Sequence, residues 1–406
     1  MSGSAIELVD LIARWIHVIA AIMWAGNSML FNWLDRNLRP GSRDAAGGNA
    51  PGALGQIWLL HSGAFYYVEK TLLGGQPMPK PLHWFKWQAY TTWWSGMALL
   101  IAVYWFGGRA LLENGSGGPG SHAHAVWIAA GSILLGWALY EGMQRFVAPR
   151  LPLAANVIWI VGLAAISLTL LHYLNGRAAF LHVGAMLGTI MAANVFFTIV
   201  PSQRELVASV DEGRGADPAV SARAKRVSIH NNYFTFPVIV LMVSNHFPAM
   251  YAGRFNGLLL LTLIAAGAAV RHVLNLRFTL PSWQPVLAAT ITASAIALFT
   301  IMRVGAEAPP VVAPALTAPV TFAEVRHVID RRCAACHSSQ PSDLSFGAAP
   351  GGVMFDTPEQ IRAHAERIRA RAVLTRTMPP ANKTNMTDAE RATLGRWIAD
   401  GAKLER

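Results

Sequence analysis

The sequence predicts an all-α protein in two parts: a polytopic membrane bundle of eight transmembrane helices, and a small helical domain at the C-terminal end. Three observations predict this. The chain is 53% hydrophobic and only 14% charged, with mean hydropathy +0.35, whereas soluble domains carry roughly 25% charged residues. Eight apolar stretches, about 10–34, 87–106, 124–140, 152–174, 178–200, 232–250, 255–276 and 283–302, approach the length that crosses a bilayer, for which about 20 residues suffice. Past residue 319 the apolar runs end, and amphipathic spacing with a capping box takes their place. The divisions are therefore a membrane domain over 1–304, a Pro-rich tether over 305–318 and a C-terminal domain over 319–406.

Taken in order, the first stretch lacks a basic leader, with Glu7 and Asp10 in its place. It is expected to stay as a helix and not to be a cleaved signal peptide. The connection over 35–86 opens Gly-rich and then carries Ile57–Tyr67. That piece is too short to span and predicts an interfacial or re-entrant helix. The connection over 201–230 is expected to be a charged loop. Lysines and arginines concentrate in the connections after helices one, three and five, with one each after two, four, six and seven. Positive-inside then places both the N-terminus and the C-terminal domain on the periplasmic side of a bacterial inner membrane. The net charge of +11 is thereby accounted for by topology, without nucleic acid as a partner.

The C-terminal domain contains Cys333-Ala-Ala-Cys336-His337, the only two cysteines in the chain. Cys-x-x-Cys-His is the attachment sequence of a c-type haem, and its histidine is the proximal iron ligand. Half a zinc site is the alternative, but no further ligands stand at ordinary spacing. Met378, in Thr377-Met378-Pro379-Pro380, is the expected second axial ligand, with Met354 and Met386 as alternatives. Thr387-Asp-Ala-Glu390 opens a helix to about Gly401, with Leu394, Trp397 and Ile398 on one face. A second helix, about Thr321 to Arg332, precedes the motif. The domain thus reads as a class I cytochrome c.

Histidines inside membrane segments are costly and mark function. His17 and His182 lie near the outer ends of helices one and five, and His83 and His230 at the inner ends of helices two and six. The matched pairs suggest a 4+4 parallel repeat, whose interface is where sites collect. The outer pair, His17 and His182, suits the iron of a b-type haem; hydrogen bonds between helices are the alternative use. The inner set of His83, His230, Asn231, Arg271 and His272, with Asn232, Tyr233, Lys86, Tyr140 and Glu141 nearby, offers a cation, donors and proton acceptors for a small, flat, anionic heterocycle. For Lys86, Arg277 and the neighbouring tryptophans, interfacial anchoring is the simpler account.

Trp15-Ile-His-Val to Trp24-Ala-Gly-Asn27, Leu82-His-Trp-Phe-Lys-Trp-Gln88 with Thr91-Thr-Trp-Trp-Ser-Gly96, and His230-Asn-Asn-Tyr-Phe-Thr-Phe-Pro237 with Ser244-Asn-His-Phe-Pro248 resemble the bacterial membrane-bound, cytochrome c-fused urate oxidase family. The first helix is also similar to that of the membrane protoporphyrinogen oxidase family, which favours His17 as a haem ligand. The urate oxidase resemblance implies oxidation of urate to 5-hydroxyisourate in purine catabolism. Electrons would pass through cytochrome c to a soluble cytochrome c or a terminal oxidase, without hydrogen peroxide. A cytochrome c-linked dehydrogenase for another small metabolite and a quinol-to-cytochrome c electron carrier are the alternatives. The expected cofactors are one covalent haem c and, in the bilayer, haem b.

Overall fold

A computed structural model describes residues 3–40, 53–73, 77–106, 112–113, 122–215, 217–306, 320–343 and 349–404. The tether falls almost wholly outside these. Seven described helices are long and apolar enough to cross a membrane: Leu8–Asn37, His122–Val147, Pro152–Tyr173, Gly176–Asp211, Pro218–Ser244, Asn256–Leu276 and Trp283–Gly305. The expected second span is a helix, Trp87–Leu100, continued by a π-helical turn over Ile101–Trp105. Its first half is Trp, Thr, Tyr and Gln, so its hydropathy falls below that of the other seven.

We label the elements α1 (Gly3–Asn37), β1 (Ala53–His61), β2 (Ala64–Thr71), α2 (Trp87–Leu100), α3 (His122–Gly142) and α4 (Pro152–Tyr173). There follow α5 (Gly176–Asn194), α6 (Val200–Asp211), α7 (Pro218–Ser244), α8 (Asn256–Leu276) and α9 (Trp283–Ala306). Two starts carry a side-chain cap, Asn175 accepting from the Ala178 amide and Asp217 from that of Ala219, both at 2.8 Å. α5 is the central helix: 67% of an 18-residue apolar stretch of its span is buried, against 6% and 0% for such stretches of α1 and α9. The apolar side chains those two expose, such as Leu11, Trp15 and Phe299, are what a lipid-facing helix requires.

Three expectations are corrected. The Ile57–Tyr67 stretch is no helix but a β-hairpin, with Trp58 opposite Tyr67 and Leu60 opposite Phe65. Length and hydropathy alone favoured a short helix. The Ser62-Gly63 pair decides otherwise, with φ of 51° and 76°. Two positive φ values in a two-residue turn match the twist of paired strands. The protein is thus mainly helical and not strictly all-α. The expected loop over 201–230 is mostly helical: α6 continues the fifth span to Asp211, and α7 starts at Pro218. His230 therefore lies inside α7 and not ahead of it. The third span runs to Val147 through a π-helical turn, so it is longer than expected.

A proline and a glycine bring α7 and α8 into close contact. Pro237 interrupts the amide ladder of α7. Gly267 faces it so tightly that a Cβ there would stand 2.9 Å from the Pro237 nitrogen. The contact brings the next turns together, Asn232 on α7 against Arg271 and Asn275 on α8.

The C-terminal unit comprises α10 (Phe322–Arg332), α11 (Pro358–Ala363), α12 (Ala365–Ile368) and α13 (Asp388–Ala399). It has its own core, with Val325, Ile329, Ile361, Leu394 and Trp397 buried. Capping boxes at Thr321, Thr357 and Thr387 start three of its helices.

Candidate functional site

The inner polar cluster converges, but not as one ring. Successive residues on a helix point about 100° apart, so the run His230-Asn-Asn-Tyr233 fans around α7 to three neighbours. His230 Nδ1 meets the Tyr140 hydroxyl of α3 at 2.9 Å. Asn231 accepts from Asn194 of α5 at 2.8 Å and donates to the Met191 carbonyl at 3.0 Å. Asn194 also donates to Tyr140 at 3.1 Å, which closes the buried network. Asn232 Oδ1 accepts from Arg271 Nε at 3.0 Å and from Asn275 at 2.8 Å. The Tyr233 hydroxyl pairs with His272 Nδ1 at 2.7 Å.

A cleft of about 1380 Å³ opens beside this fan. Its walls include Trp24, Phe31, His83, Asn231, Asn232, Tyr233, His272 and Asn275, with Lys70 to Leu73 from the end of β2. The hairpin is tied to α1 by the Lys70–Asp35 ion pair at 2.6 Å. Of the five candidate catalytic residues, His83, Asn231 and His272 line the cleft. His83 stands on the opposite wall, edge-on to Phe85. His230 lies behind the wall, in the Tyr140 network. Arg271 is also just behind it, one hydrogen bond from the cleft through Asn232. Lys86 sits over Trp84 and Trp87 at 5.6 and 5.4 Å. Glu141 is taken by Arg223 at 2.5 Å.

Arg271 is only 5% exposed. Its guanidinium carbon stands 5.5 Å over the Phe236 ring. Among the described residues its Nε has a partner, its two terminal nitrogens have none, and no carboxylate pairs with it. Burying a cation without a counter-charge is costly. Asn275 was not singled out from sequence, and Asn232 stood there only as a neighbour of the inner set, without its tie to Arg271. Their signal was the Gly267–Pro237 contact, visible only in three dimensions.

The outer histidines differ from one another. His17 Nδ1 contacts the Thr92 carbonyl at 3.0 Å and the Ser95 hydroxyl at 3.2 Å, its ring over Gly96, where a Cβ would come within 2.7 Å. Its Nε2 has no partner among the described residues. His182 is fully buried, Nδ1 at 2.7 Å from the Ala178 carbonyl and Nε2 accepting from the Trp105 indole at 3.1 Å. Both its nitrogens are used, so it offers no lone pair unless Trp105 withdraws. No group of three or more His, Cys, Asp or Glu residues suited to a metal ion occurs among the described residues.

In the C-terminal unit α10 runs straight into the cysteine motif. The Cys336 and His337 amides donate back to the Cys333 carbonyl at 3.1 and 2.9 Å, which keeps the motif helically coiled. His337 Nδ1 meets the Val353 carbonyl at 2.9 Å, and its Nε2 has no partner among the described residues. Burial, then the neighbouring Cys336, pushes the Cys333 thiol up to about 12. Burial, then a hydrogen bond to Asp343, pushes Cys336 up to about 11. The pair is thus protonated at neutral pH, unlike the low-pKa thiols of redox dithiols. Met378 packs against the same core as Cys333 and Val353, whereas Met386 is only 3% exposed inside that core. Arg391, 5% exposed, pins the Met378 strap. Its guanidinium donates to the Ala372 carbonyl, to the Met378 carbonyl at 2.8 Å and to Asn382 at 3.1 Å.

Comparison with known proteins gives one match. The family model described as urate oxidase N-terminal covers residues 3–303. No curated protein and no solved structure matches significantly. The matched stretch contains α1 to α9, the cleft and both sets of histidines, and stops short of the cysteine motif. It spans well over half of the chain, which therefore belongs to the urate oxidase N-terminal family.

Proposed function

We propose that the protein oxidises urate to 5-hydroxyisourate at the α7–α8 cleft and delivers the electrons through its C-terminal unit to a respiratory acceptor. The observation that carries this reading is Arg271, a buried guanidinium with two free terminal nitrogens and no carboxylate, behind a cleft walled by aromatic rings. Such a group needs an anion. Urate is a planar anion at neutral pH, with edges that accept a forked guanidinium. Family membership over 3–303 supports the same substrate.

The chemistry balances as the urate monoanion plus water giving 5-hydroxyisourate, one proton and two electrons. Arg271 draws the anionic edge toward α8, with Asn232 and Asn275 fixing the guanidinium plane. Trp24 and Phe31 give the ring a face to stack on. With its proton on Nδ1, His272 donates to Tyr233 and presents Nε2 to the cleft. In that tautomer it takes the proton of the attacking water. His83 and Asn231 complete the polar rim. His230 acts from behind the wall, holding Tyr140 and, through it, Asn194.

The residues at Cys333–His337 fit a covalently held haem. The thiols stand on one coiled turn, the Val353 carbonyl sets the histidine tautomer that frees Nε2, and the Met378 strap is pinned by Arg391. A haem held there supplies one-electron transfer. His17 fits a membrane haem b and His182, as arranged, does not, so no step is routed through that pair. The lysine and arginine distribution supports an inner-membrane protein with N-terminus and C-terminal unit in the periplasm. There a soluble cytochrome c or a terminal oxidase would collect the electrons.

The test is turnover of purified protein with urate and an oxidised soluble cytochrome c, alongside a pyridine haemochrome spectrum. We expect 5-hydroxyisourate, two cytochromes reduced per urate, no hydrogen peroxide and a c-type spectrum. Reduction of the haem by quinol but not by urate would replace the reading with an electron carrier. Turnover of another small metabolite in place of urate would replace the substrate.

A further inference from the structure

We propose that the arginine-rich face of residues 362–376, centred on Leu374, is the docking surface for an acidic redox protein. The proposal rests on the haem c reading of Cys333–His337.

The charge of the C-terminal unit is concentrated in this one segment. Residues 362–376 hold five arginines and one acidic residue, Glu366. The remainder of 319–406 holds eight basic and nine acidic residues, so without this segment the unit has no positive excess. Two of the five have acidic neighbours, Arg369 with Glu366 at 3.6 Å and Arg376 with Asp388 at 3.0 Å. Both pairs are solvent-exposed and therefore weak. Arg367 and Arg371 have no acidic partner among the described residues.

An apolar side chain stands in the middle of this charge. Leu374 is 54% exposed, and no other large hydrophobic residue of the described C-terminal unit is exposed. Arg367, Arg371 and Leu374 recur at about one helical turn, so they share a face. The face is continuous with the strap of the axial methionine. The Met378 amide donates to the Arg371 carbonyl at 3.0 Å, and the Thr377 hydroxyl donates to the same oxygen at 3.4 Å. A partner seated on Leu374 is therefore seated beside the loop that carries Met378, which would hold a haem bound at Cys333–His337. Transient redox encounters use small interfaces, with an apolar centre and a charged rim that steers the approach. A cationic rim selects an acidic partner. A bilayer surface would call for several apolar or aromatic residues where this face has one.

The experiment uses full-length, ascorbate-reduced protein in detergent. The probes are two oxidised soluble c-type cytochromes, one of strongly negative and one of strongly positive net charge. We expect the acidic probe to oxidise the protein at least tenfold faster at low salt, with that advantage lost as ionic strength rises from about 0.01 to 1 M. Arg367→Glu with Arg369→Glu should slow the acidic probe tenfold or more and invert its salt dependence. Leu374→Ala should weaken binding in calorimetry and leave the salt slope intact. The haem spectrum and midpoint potential of both variants should match those of the parent. Equal rates for the two probes, or unchanged rates in the charge-reversed protein with an intact haem spectrum, would overturn the docking face. Protection of 362–376 from hydrogen exchange by phosphatidylglycerol nanodiscs, without any probe, would assign the face to lipid and overturn it equally. Absence of a c-type spectrum in the parent would remove the haem reading itself, and the docking face with it.

Discussion

Two arginines in this protein are equally buried, and they are used in opposite ways. Arg271 in the membrane bundle and Arg391 in the C-terminal unit are each 5% exposed. Arg391 spends its terminal nitrogens on two backbone carbonyls and an asparagine. Arg271 spends only Nε, on Asn232, and keeps both terminal nitrogens. A saturated guanidinium holds a fold together. An unsaturated one, at the same depth, keeps donors that an arriving anion can take up, which is the use proposed for Arg271. Burial alone does not separate a structural cation from a functional one; the count of unused donors does.

The comparison breaks most readily at Arg391. Arg391→Met leaves the Ala372 and Met378 carbonyls without their donor, and each stranded acceptor costs about 1–3 kcal/mol. We expect the unit to lose about 2–5 kcal/mol of stability. Hydrogen exchange should rise across 369–378 and 388–399, while peptides from α5 and α7 stay protected. Loss of urate affinity with no change in exchange would reverse the assignment.

Arg271→Gln should do the opposite. A charged hydrogen bond is worth about 1.5–3 kcal/mol, which corresponds to roughly a 10–150-fold loss in kcat/KM for urate. Melting of the bundle should barely move, because no structural donor is removed except the bond to Asn232. Arg271→Lys should fail to restore turnover, since an ammonium lacks the planar fork. A large fall in melting temperature with full turnover would make Arg271 a second Arg391.

Asn232→Asp sharpens the contrast at a single atom. It supplies the carboxylate that Arg271 lacks and converts a stored cation into an internal ion pair. Urate then competes with a covalently tethered anion. We expect KM to rise about tenfold, the equivalent of about 1.4 kcal/mol, with the bundle no less stable. Asn232→Ala, which releases the guanidinium without neutralising it, should lower kcat more than it raises KM. Equal KM for the two variants would show that charge is not what Arg271 supplies.

Much of this was legible in the sequence, and the remainder was hidden for identifiable reasons. The membrane spans were readable because apolar length is a one-dimensional property. The helices flanking Cys333–His337 were readable from local signals, apolar residues at helical spacing before the motif and the Thr387–Glu390 capping box after it; the Thr321–Glu324 box is a further feature of the structure. Arg271, His272 and Asn231 stood out as polar residues in apolar helices. What failed was length used in place of local geometry, as at Ile57–Tyr67, where Ser62-Gly63 outweighed hydropathy. The roles of His182 and Asn232 were hidden because they depend on Trp105 and on the Gly267–Pro237 contact, partners 77 and 30 or more residues away in the chain. Sequence spacing shows which groups are scarce in a membrane; it does not show which of their lone pairs are already taken.

A third arginine tests the rule in its mildest form. Arg332 is 14% exposed in its side chain and is neutralised by Glu390, 16% exposed, at 2.9 Å. By the donor count it belongs with Arg391, as structure. Burial alone would raise the Glu390 pKa. The Thr387 amide, the Arg332 guanidinium and the Thr387 hydroxyl outweigh that and hold it below its ordinary 4.5. A carboxylate whose pKa is depressed on folding contributes stability above its unfolded pKa and loses it as pH falls through the folded value. Glu390→Gln keeps the capping box, because glutamine serves at that position too, and so isolates the charge. We expect a loss of about 1 kcal/mol in the protection of α13 at pH 7, shrinking toward zero as pH falls through the lowered Glu390 pKa and the parent's own carboxylate protonates. Urate turnover at pH 7 should not change. If the loss were the same at pH 7 and in acid, the Glu390 hydrogen-bond geometry and not its charge would be what Arg332 requires.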